Sequence, residues 1–273
     1  MNKKKEKIKG SIKRNFQLMQ TPLMTILPGQ ISFFVILSII PLVSIIVMII
    51  QKLSFSFDSI TNFISHYLPG GVTNIIITIF EQQRATSFDL LFILMAFYLA
   101  SKATHSIIIA STQIYNGEQR DFFRTRIKAI FMLFILVILG IILIGLFVLG
   151  GRFMYYLSTV NQDIHSFVFP LYKILKWPFI FFSVFFTVKV IYTLAPNCHV
   201  PSSSVTKGAL ITTVIWVITT YVFSFYITNI ANYTKFYGAL SNLIMLMIWI
   251  YWLCIVFVFG MTFNEDKLSH QKK

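Results

Sequence analysis

Long apolar stretches recur along this chain, and they constrain its fold more than any other feature of the sequence. A helix of roughly 20 apolar residues crosses a bilayer core of about 30 Å. Charged residues are only 12% of the 273 residues, compared with about 25% in soluble domains, so the apolar stretches cannot all be hidden from water in a soluble core. The pattern predicts an all-α, polytopic membrane protein. Its six transmembrane helices are predicted at about 27–50, 90–112, 127–149, 171–194, 208–230 and 239–263.

The remaining residues flank or connect these spans. Residues 1–26 form a basic N-terminal segment, 27–263 the transmembrane domain, and 264–273 a short tail. The segment 51–87, between the first and second spans, is too long for a plain turn. It is predicted to be partly helical and to lie on the outer face or enter the bilayer part way. Its two short helices are predicted at about 58–67 and 73–83.

The distribution of positive charge predicts the orientation. The net charge is +14, and Lys and Arg are concentrated before residue 15, in the 113–128 link and in the tail. An excess of Lys and Arg is typical of cytoplasmic loops. The pattern predicts a multi-pass protein of a bacterial plasma (inner) membrane with both termini in the cytoplasm. Because the basic clusters adjoin apolar spans, nucleic acid is not expected as a partner.

Polar residues line one side of the second predicted span. At 100° per residue, Tyr98, Ser101, Lys102 and His105 share this side, and Lys102 falls near the middle of the span. Ionisable residues in the membrane usually face a bundle interior or a wet cavity. These four residues are therefore candidates for lining a substrate route. The alternative is that Lys102 extends its amine to an interface while Tyr98 and Ser101 only pack against neighbouring helices.

Other polar or helix-distorting residues in the spans are weaker candidates. Hydroxyl side chains share one face of the fifth span, although such groups usually serve helix packing. Lys189 lies near the predicted cytoplasmic end of the fourth span. Pro41 and Pro196 are predicted helix kinks, with a gating hinge as the alternative. The hydroxyl side chains named as further route candidates are Thr213, Thr220 and Ser224, on a stripe that also includes Thr206 and Thr228.

The predicted spans contain no Asp or Glu well inside them. This absence argues against a carboxylate proton relay. A lysine without an acidic partner instead suits an anionic group such as a lipid phosphate, so membrane lipids are the expected partners. The sequence also lacks a P-loop, a GxSxG elbow and metal-ligand spacing. We therefore expect no catalytic residues, no metal and no cofactor.

Short motifs follow one another along nearly the whole chain. They occur at 31–41, 101–102, 114–122, 192–197, 207–209, Trp216, Tyr233, 237–240, 249–252 and 260–265. Their order and spacing resemble the YihY/BrkB family of bacterial membrane proteins, the UPF0761 type. The segment 51–87 is the least similar part.

The resemblance implies a six-span plasma-membrane protein. Members of the family have been labelled ribonuclease BN and virulence or serum-resistance factors, and a transport role has been proposed for relatives. The leading hypothesis is a transporter or flippase-like protein for an anionic lipid or envelope component. The second is a membrane scaffold that maintains the envelope without transport, and the third is a membrane-associated ribonuclease. Substrate, energy source and oligomeric state are not predicted.

Overall fold

The computed structural model describes residues 25–39, 65, 72–75, 77–78, 90–115, 121–160, 162–229 and 237–271. All regular secondary structure in these ranges is helical, which confirms the predicted all-α class. The helices are α1 (Thr25–Ile39), α2 (Leu90–Ile114), α3 (Phe122–Val160), α4 (Gln162–Leu194), α5 (Ser202–Asn229) and α6 (Ser241–Gln271), with a 3₁₀ turn at Gly238–Leu240.

Four stretches of the described helices are long and apolar enough to cross a membrane. They are Phe122–Leu143, Val168–Leu194, Ser202–Asn229 and Ser241–Asn264, and α1 is a shorter apolar helix. These stretches overlap the last four predicted spans. Helix α2 covers the predicted second span, whereas the first span is described only as far as Ile39. The count of six spans therefore stays a prediction.

Helices α3 and α4 are longer than the predicted spans. Residues 151–170 were expected to link them, yet α3 continues to Val160 and α4 begins at Gln162. The predicted bounds followed the thickness of the bilayer, but a helix ends only where the chain can no longer continue its hydrogen-bonding pattern. Pro170 and Pro178 lie inside α4, which is tolerated in membrane helices because neighbouring groups satisfy the freed carbonyls.

Several predictions concern residues near or beyond the edges of the described ranges. Pro41 and the predicted helix at 58–67, apart from residue 65, lie outside the described residues. Residues 72–75 and 77–78 are helical, in agreement with the short helix predicted there. Helix α4 ends at Leu194, so Pro196 follows the helix rather than lying within it.

The helices pack pairwise around one buried core. Helix α5 packs most closely on α6, and further pairs join α2 to α3, α3 to α4, α4 to α5, and α2 to α6. The most deeply buried large side chains come from α1, the helical segment 72–75, α2, α4, α5 and α6. They are Ile31, Val72, Ile108, Val188, Tyr192, Val205, Val258, Met261 and Asn264.

The outward faces of the helices are apolar. Phe131 of α3 is 65% exposed, and Tyr221 of α5 is 75% exposed. Large exposed apolar surfaces are rare on soluble monomers. An apolar outer face together with apolar helices of spanning length indicates that lipid, not water, surrounds these helices.

Candidate functional site

Lys102 lies in an aromatic environment between α1 and α2. Its side chain is half-buried, and its Nζ lies 5.3 Å from the centre of the Tyr98 ring and 5.9 Å from that of the Phe34 ring. A cation at this distance from an aromatic face is attracted by the electron density of the ring. The two rings therefore attract the positive charge of Lys102 but place no negative charge beside it.

A second cation reaches the same tyrosine from α3. The guanidinium carbon of Arg126 lies 4.5 Å from the centre of the Tyr98 ring. Its Nη2 also donates a hydrogen bond of 3.0 Å to the main-chain oxygen of Tyr98. We call Phe34, Tyr98, Lys102 and Arg126 the Tyr98 cluster. The cluster joins α1, α2 and α3 through two positive charges and two rings.

The positive charges of the Tyr98 cluster have no acidic counterpart in the described part of the chain. No carboxylate oxygen there lies within 4.0 Å of Lys102 or Arg126, whereas Arg124 does pair with Asp121, at 3.9 Å on the exposed surface. Charges interact more strongly near a membrane interior than in water because the dielectric constant is lower. The cluster is therefore suited to attract an anion.

The other two residues of the predicted α2 stripe have different partners. Ser101 is fully buried, and its hydroxyl donates to the main-chain oxygen of Tyr98 at 2.8 Å. His105 is half-buried, with its ring edge-on to Phe122 at 5.7 Å. Of the four candidates on α2, the structure thus brings Lys102 against the Tyr98 ring and Ser101 against the Tyr98 main chain. A substrate route along them stays a prediction.

The hydroxyl stripe of α5 makes hydrogen bonds within α5 and one to α6. Thr213 is buried and donates to the main-chain oxygen of Ala209 at 2.8 Å. Thr220 accepts a hydrogen bond of 3.4 Å from the Trp249 indole. Ser224, through its main-chain oxygen, accepts a bond from Thr228. Within the described ranges, no hydrogen bond or ring contact connects these residues to the Tyr98 cluster.

Lys189 is also a separate feature. It is half-buried on α4, and its main-chain oxygen accepts a hydrogen bond of 2.8 Å from Thr193. In the described part of the chain, no hydrogen bond or ring contact joins Lys189 to the Tyr98 cluster. Its role in a substrate route stays a prediction.

A buried tyrosine connects α4, α5 and α6. Tyr192 donates its hydroxyl proton to the main-chain oxygen of Phe257 at 2.6 Å, and the same hydroxyl lies 2.7 Å from the Thr212 Oγ1. Because the phenol has a single proton, Thr212 is the donor in the second bond. Tyr192 is completely buried, so these bonds satisfy groups that water does not reach.

Replacing Tyr192 with phenylalanine is expected to lower the free energy of unfolding by about 1 to 3 kcal/mol. The ring still fills its site, but the Phe257 carbonyl and the Thr212 hydroxyl lose a partner. Denaturant titration of the purified protein in mixed micelles measures the difference. Tyr221→Phe is the matched control, because Tyr221 is exposed on α5, and no change is expected there. Equal stabilities of the two variants would contradict the buried bonds.

An asparagine near the end of α6 connects that helix to α2 and α5. Asn264 is fully buried. Its Oδ1 accepts a hydrogen bond of 2.9 Å from the Gly208 main-chain nitrogen, and its Nδ2 donates one of 3.1 Å to the Tyr115 hydroxyl. Gly208 and Gly260 allow the approach, because a Cβ on Gly208 would overlap the Asn264 side chain and the Gly260 main-chain oxygen.

Lys128 holds the chain where α4 ends. Its Nζ donates to the main-chain oxygens of Ala195 at 2.9 Å and Pro196 at 2.5 Å, and to the Asn197 Oδ1 at 3.3 Å. Carbonyls at a helix end lack partners within the helix and are often satisfied by a lysine. The Asn197 main-chain nitrogen donates to the Thr112 Oγ1 at 3.1 Å. This link therefore connects α3, the end of α4 and α2.

We call the hydrogen-bonded groups around Tyr192, Asn264 and Lys128, taken together, the polar network. They join the last part of α2, the first part of α3, the end of α4, the first half of α5 and the second half of α6. The residues are Thr112, Tyr115, Lys128, Tyr192, Ala195, Pro196, Asn197, Gly208, Thr212, Phe257, Gly260 and Asn264.

Most residues of this network lie in the family motifs at 114–122, 192–197, 207–209 and 260–265, but sequence reasoning did not join them into one site, and it placed Arg126 only in the basic 113–128 link. Thr212 adjoins the predicted Thr213 but was off the chosen stripe, and Asn264 was assigned to the tail. The available signal was the presence of glycines and hydrogen-bonding side chains within apolar helices, which is typical of membrane helix interfaces. Within the described ranges, no three His, Cys, Asp or Glu side chains are grouped as metal ligands, and the expectation of no metal stays a prediction.

Comparison with known proteins identifies the family. The profile of the family described as Virulence factor BrkB matches residues 17–273. The ribonuclease-like protein YfkH of Bacillus subtilis is 27% identical over 254 residues, which cover 90% of each chain. The UPF0761 membrane protein VV0203 of Vibrio vulnificus is 23% identical over 239 residues, covering 84% of this chain and 73% of the relative. No solved structure matches the chain.

Proposed function

Since this chain belongs to the BrkB family of membrane proteins, we propose that it is a transporter or flippase-like protein of the bacterial plasma membrane. The proposed substrate is an anionic lipid or another anionic envelope component. The chain is an integral membrane protein, with apolar helices of spanning length and relatives named as membrane proteins.

One observation carries the proposal. Lys102 is a half-buried cation on α2 that contacts the Tyr98 and Phe34 rings. Among the described residues it has no carboxylate partner within 4.0 Å. Keeping an uncompensated charge within a membrane protein is costly, and a passing anion would lower that cost. The positive charge therefore favours an anionic substrate over a cationic one.

We expect wild-type protein in vesicles to move fluorescent phosphatidylglycerol between leaflets. Lys102→Ala should slow this movement by about tenfold or more, because the loss of a charged contact worth at least about 1.4 kcal/mol changes a rate by that factor. The measurement is the fraction of fluorescent lipid that externally added dithionite quenches over time. Phosphatidylcholine serves as the comparison lipid.

Lys207→Ala is the matched control for this experiment, because Lys207 is an exposed lysine on α5. It should transport phosphatidylglycerol like the wild type. Equal movement of both lipids by the wild type and Lys102→Ala would contradict an anion route through Lys102. A wild type that moves neither lipid would contradict unassisted lipid transport.

A membrane scaffold is the second candidate function, and the polar network favours it. Buried and part-buried hydrogen bonds connect five helices at one end of the bundle, and satisfied polar networks of this kind make a structure rigid. A rigid bundle suits a platform for partners better than a moving transporter. Crosslinking in intact membranes that captures a stable partner, combined with no transport in vesicles, would favour the scaffold.

A further inference from the structure

Two cations of the Tyr98 cluster converge on one aromatic ring from different helices. Lys102 belongs to α2 and Arg126 to α3, and their charged groups lie 5.3 Å and 4.5 Å from the centre of the Tyr98 ring. The hydrogen bond from Arg126 to the Tyr98 main-chain oxygen fixes the guanidinium against α2. The two charged groups are therefore held within about 10 Å of each other before any ligand binds.

Arg126 keeps most of its hydrogen-bonding capacity. A guanidinium carries five N–H donors in a planar fork that matches the oxygens of phosphate. In the described part of the chain, its side chain makes one hydrogen bond, to Tyr98, and no ion pair. Arg124 differs, although it lies only two residues away, because it is exposed and has Asp121 as its partner. Of these two arginines, Arg126 is therefore the one whose N–H donors are available to an anion.

The surroundings of the Tyr98 cluster match an amphiphile better than a free ion. Tyr98 is 59% exposed, so the cluster is reachable from outside the bundle. Phe122 and Phe123, in the first turn of α3, are 69% and 78% exposed and offer apolar surface near Arg126. Arg126 directly precedes the predicted third span, which begins at about residue 127. Headgroups lie at this edge of the bilayer core.

We propose that Lys102 and Arg126, held against Tyr98, bind the phosphate of an anionic lipid headgroup at the membrane surface where α3 begins. The inference rests on the proposed transport of an anionic lipid, and it names the headgroup phosphate as the recognised group. Arg126 is the bidentate ligand, and Lys102 adds a second positive charge. The exposed phenylalanines lie beside the acyl chains.

The test is a binding titration rather than a transport assay. The full-length protein in a neutral detergent is titrated against fluorescent phosphatidylglycerol, and anisotropy reports binding. Arg126→Gln is expected to weaken binding by about tenfold or more, since charge-assisted bonds to phosphate are among the strongest hydrogen bonds. Arg126→Lys keeps the charge but loses the fork, so it should fall between the wild type and Arg126→Gln.

Arg124→Gln is the matched control, and it should bind phosphatidylglycerol like the wild type. Unlabelled phosphatidylglycerol should displace the probe. Phosphatidylcholine should not, because its choline cation neutralises its phosphate, and neither should millimolar inorganic phosphate, which has no acyl chains. Displacement by inorganic phosphate as effective as by the lipid would overturn the lipid assignment. Equal affinities of Arg126→Gln and Arg124→Gln would overturn the site itself.

Loss of binding through misfolding of a variant is tested separately. Each variant is compared with the wild type by its elution volume and unfolding midpoint, and Arg126→Lys supplies a charged variant if Arg126→Gln fails to fold. Specific binding without transport would overturn the proposed function and leave the phosphate site standing. Transport that depends on Lys102, with binding indifferent to Arg126, would overturn the site and leave the proposed function standing.

Discussion

Gly208→Ala is expected to lower the free energy of unfolding by about 3 kcal/mol, at the upper end of the usual range for overpacking. A Cβ at this position would overlap the Gly260 main-chain oxygen and the Asn264 side chain. A side chain could rotate away, but a main-chain oxygen can move only with its helix. Helices α5 and α6 must therefore separate, and the hydrogen bond from Gly208 to Asn264 is lost. Denaturant titration in mixed micelles measures the loss.

Gly140→Ala is the control for this prediction. Gly140 also lies inside a helix, α3, but a Cβ there would meet no heavy atom within 4 Å. Alanine is the better helix former by about 1 kcal/mol, so this variant should be as stable as the wild type or slightly more stable. A Gly208→Ala protein as stable as Gly140→Ala would show that α5 and α6 do not approach closely at Gly208.

Lys128→Met is expected to lower the free energy of unfolding by about 2 to 3 kcal/mol. Methionine retains an apolar stem of similar length, but it cannot donate to the Ala195 and Pro196 oxygens or to Asn197. These acceptors are partly withdrawn from water, so the loss of the ammonium leaves them without a partner. Besides lower stability, we expect faster amide hydrogen exchange in residues 195–201, where the chain passes from α4 to α5.

The matched control for this second substitution is Lys207→Met. Lys207 is exposed, and its replacement should leave both the stability and the exchange of residues 195–201 unchanged. If Lys128→Met changed neither quantity, the ammonium would not hold the end of α4. If it lowered stability without faster exchange at 195–201, the substitution would act elsewhere in the bundle.

Much of the fold could be predicted because the bilayer imposes a length on apolar helices. The last four predicted spans overlap the four stretches of spanning length. The ends of the helices were less predictable, as α3 shows. Its predicted span ends at about residue 149, whereas the helix continues to Val160. Hydropathy predicts which residues lie in the lipid. The end of a helix depends instead on backbone hydrogen bonding and on the helix propensity of the residues.

The candidate site was only partly predictable for a different reason. Lys102 stands out in the sequence because its charge is anomalous in an apolar stretch. Arg126 does not, because an arginine near a helix start is common in membrane proteins. Its importance comes from the direction of its side chain, which crosses to Tyr98. Contacts between helices depend on rotation and crossing geometry, and neither follows from hydropathy.

The bond between Asn264 and Tyr115 also has a consequence for the order of assembly during synthesis. The two residues are 149 positions apart in the chain. Ribosomes add roughly 5 to 20 residues per second, so α2 is made about 7 to 30 s before its partner on α6 exists. The first helices must therefore reside in the membrane as an incomplete bundle for that time. The arrival of Asn264 joins α2 to α6, so this bond forms only after α3, α4 and α5 have been made.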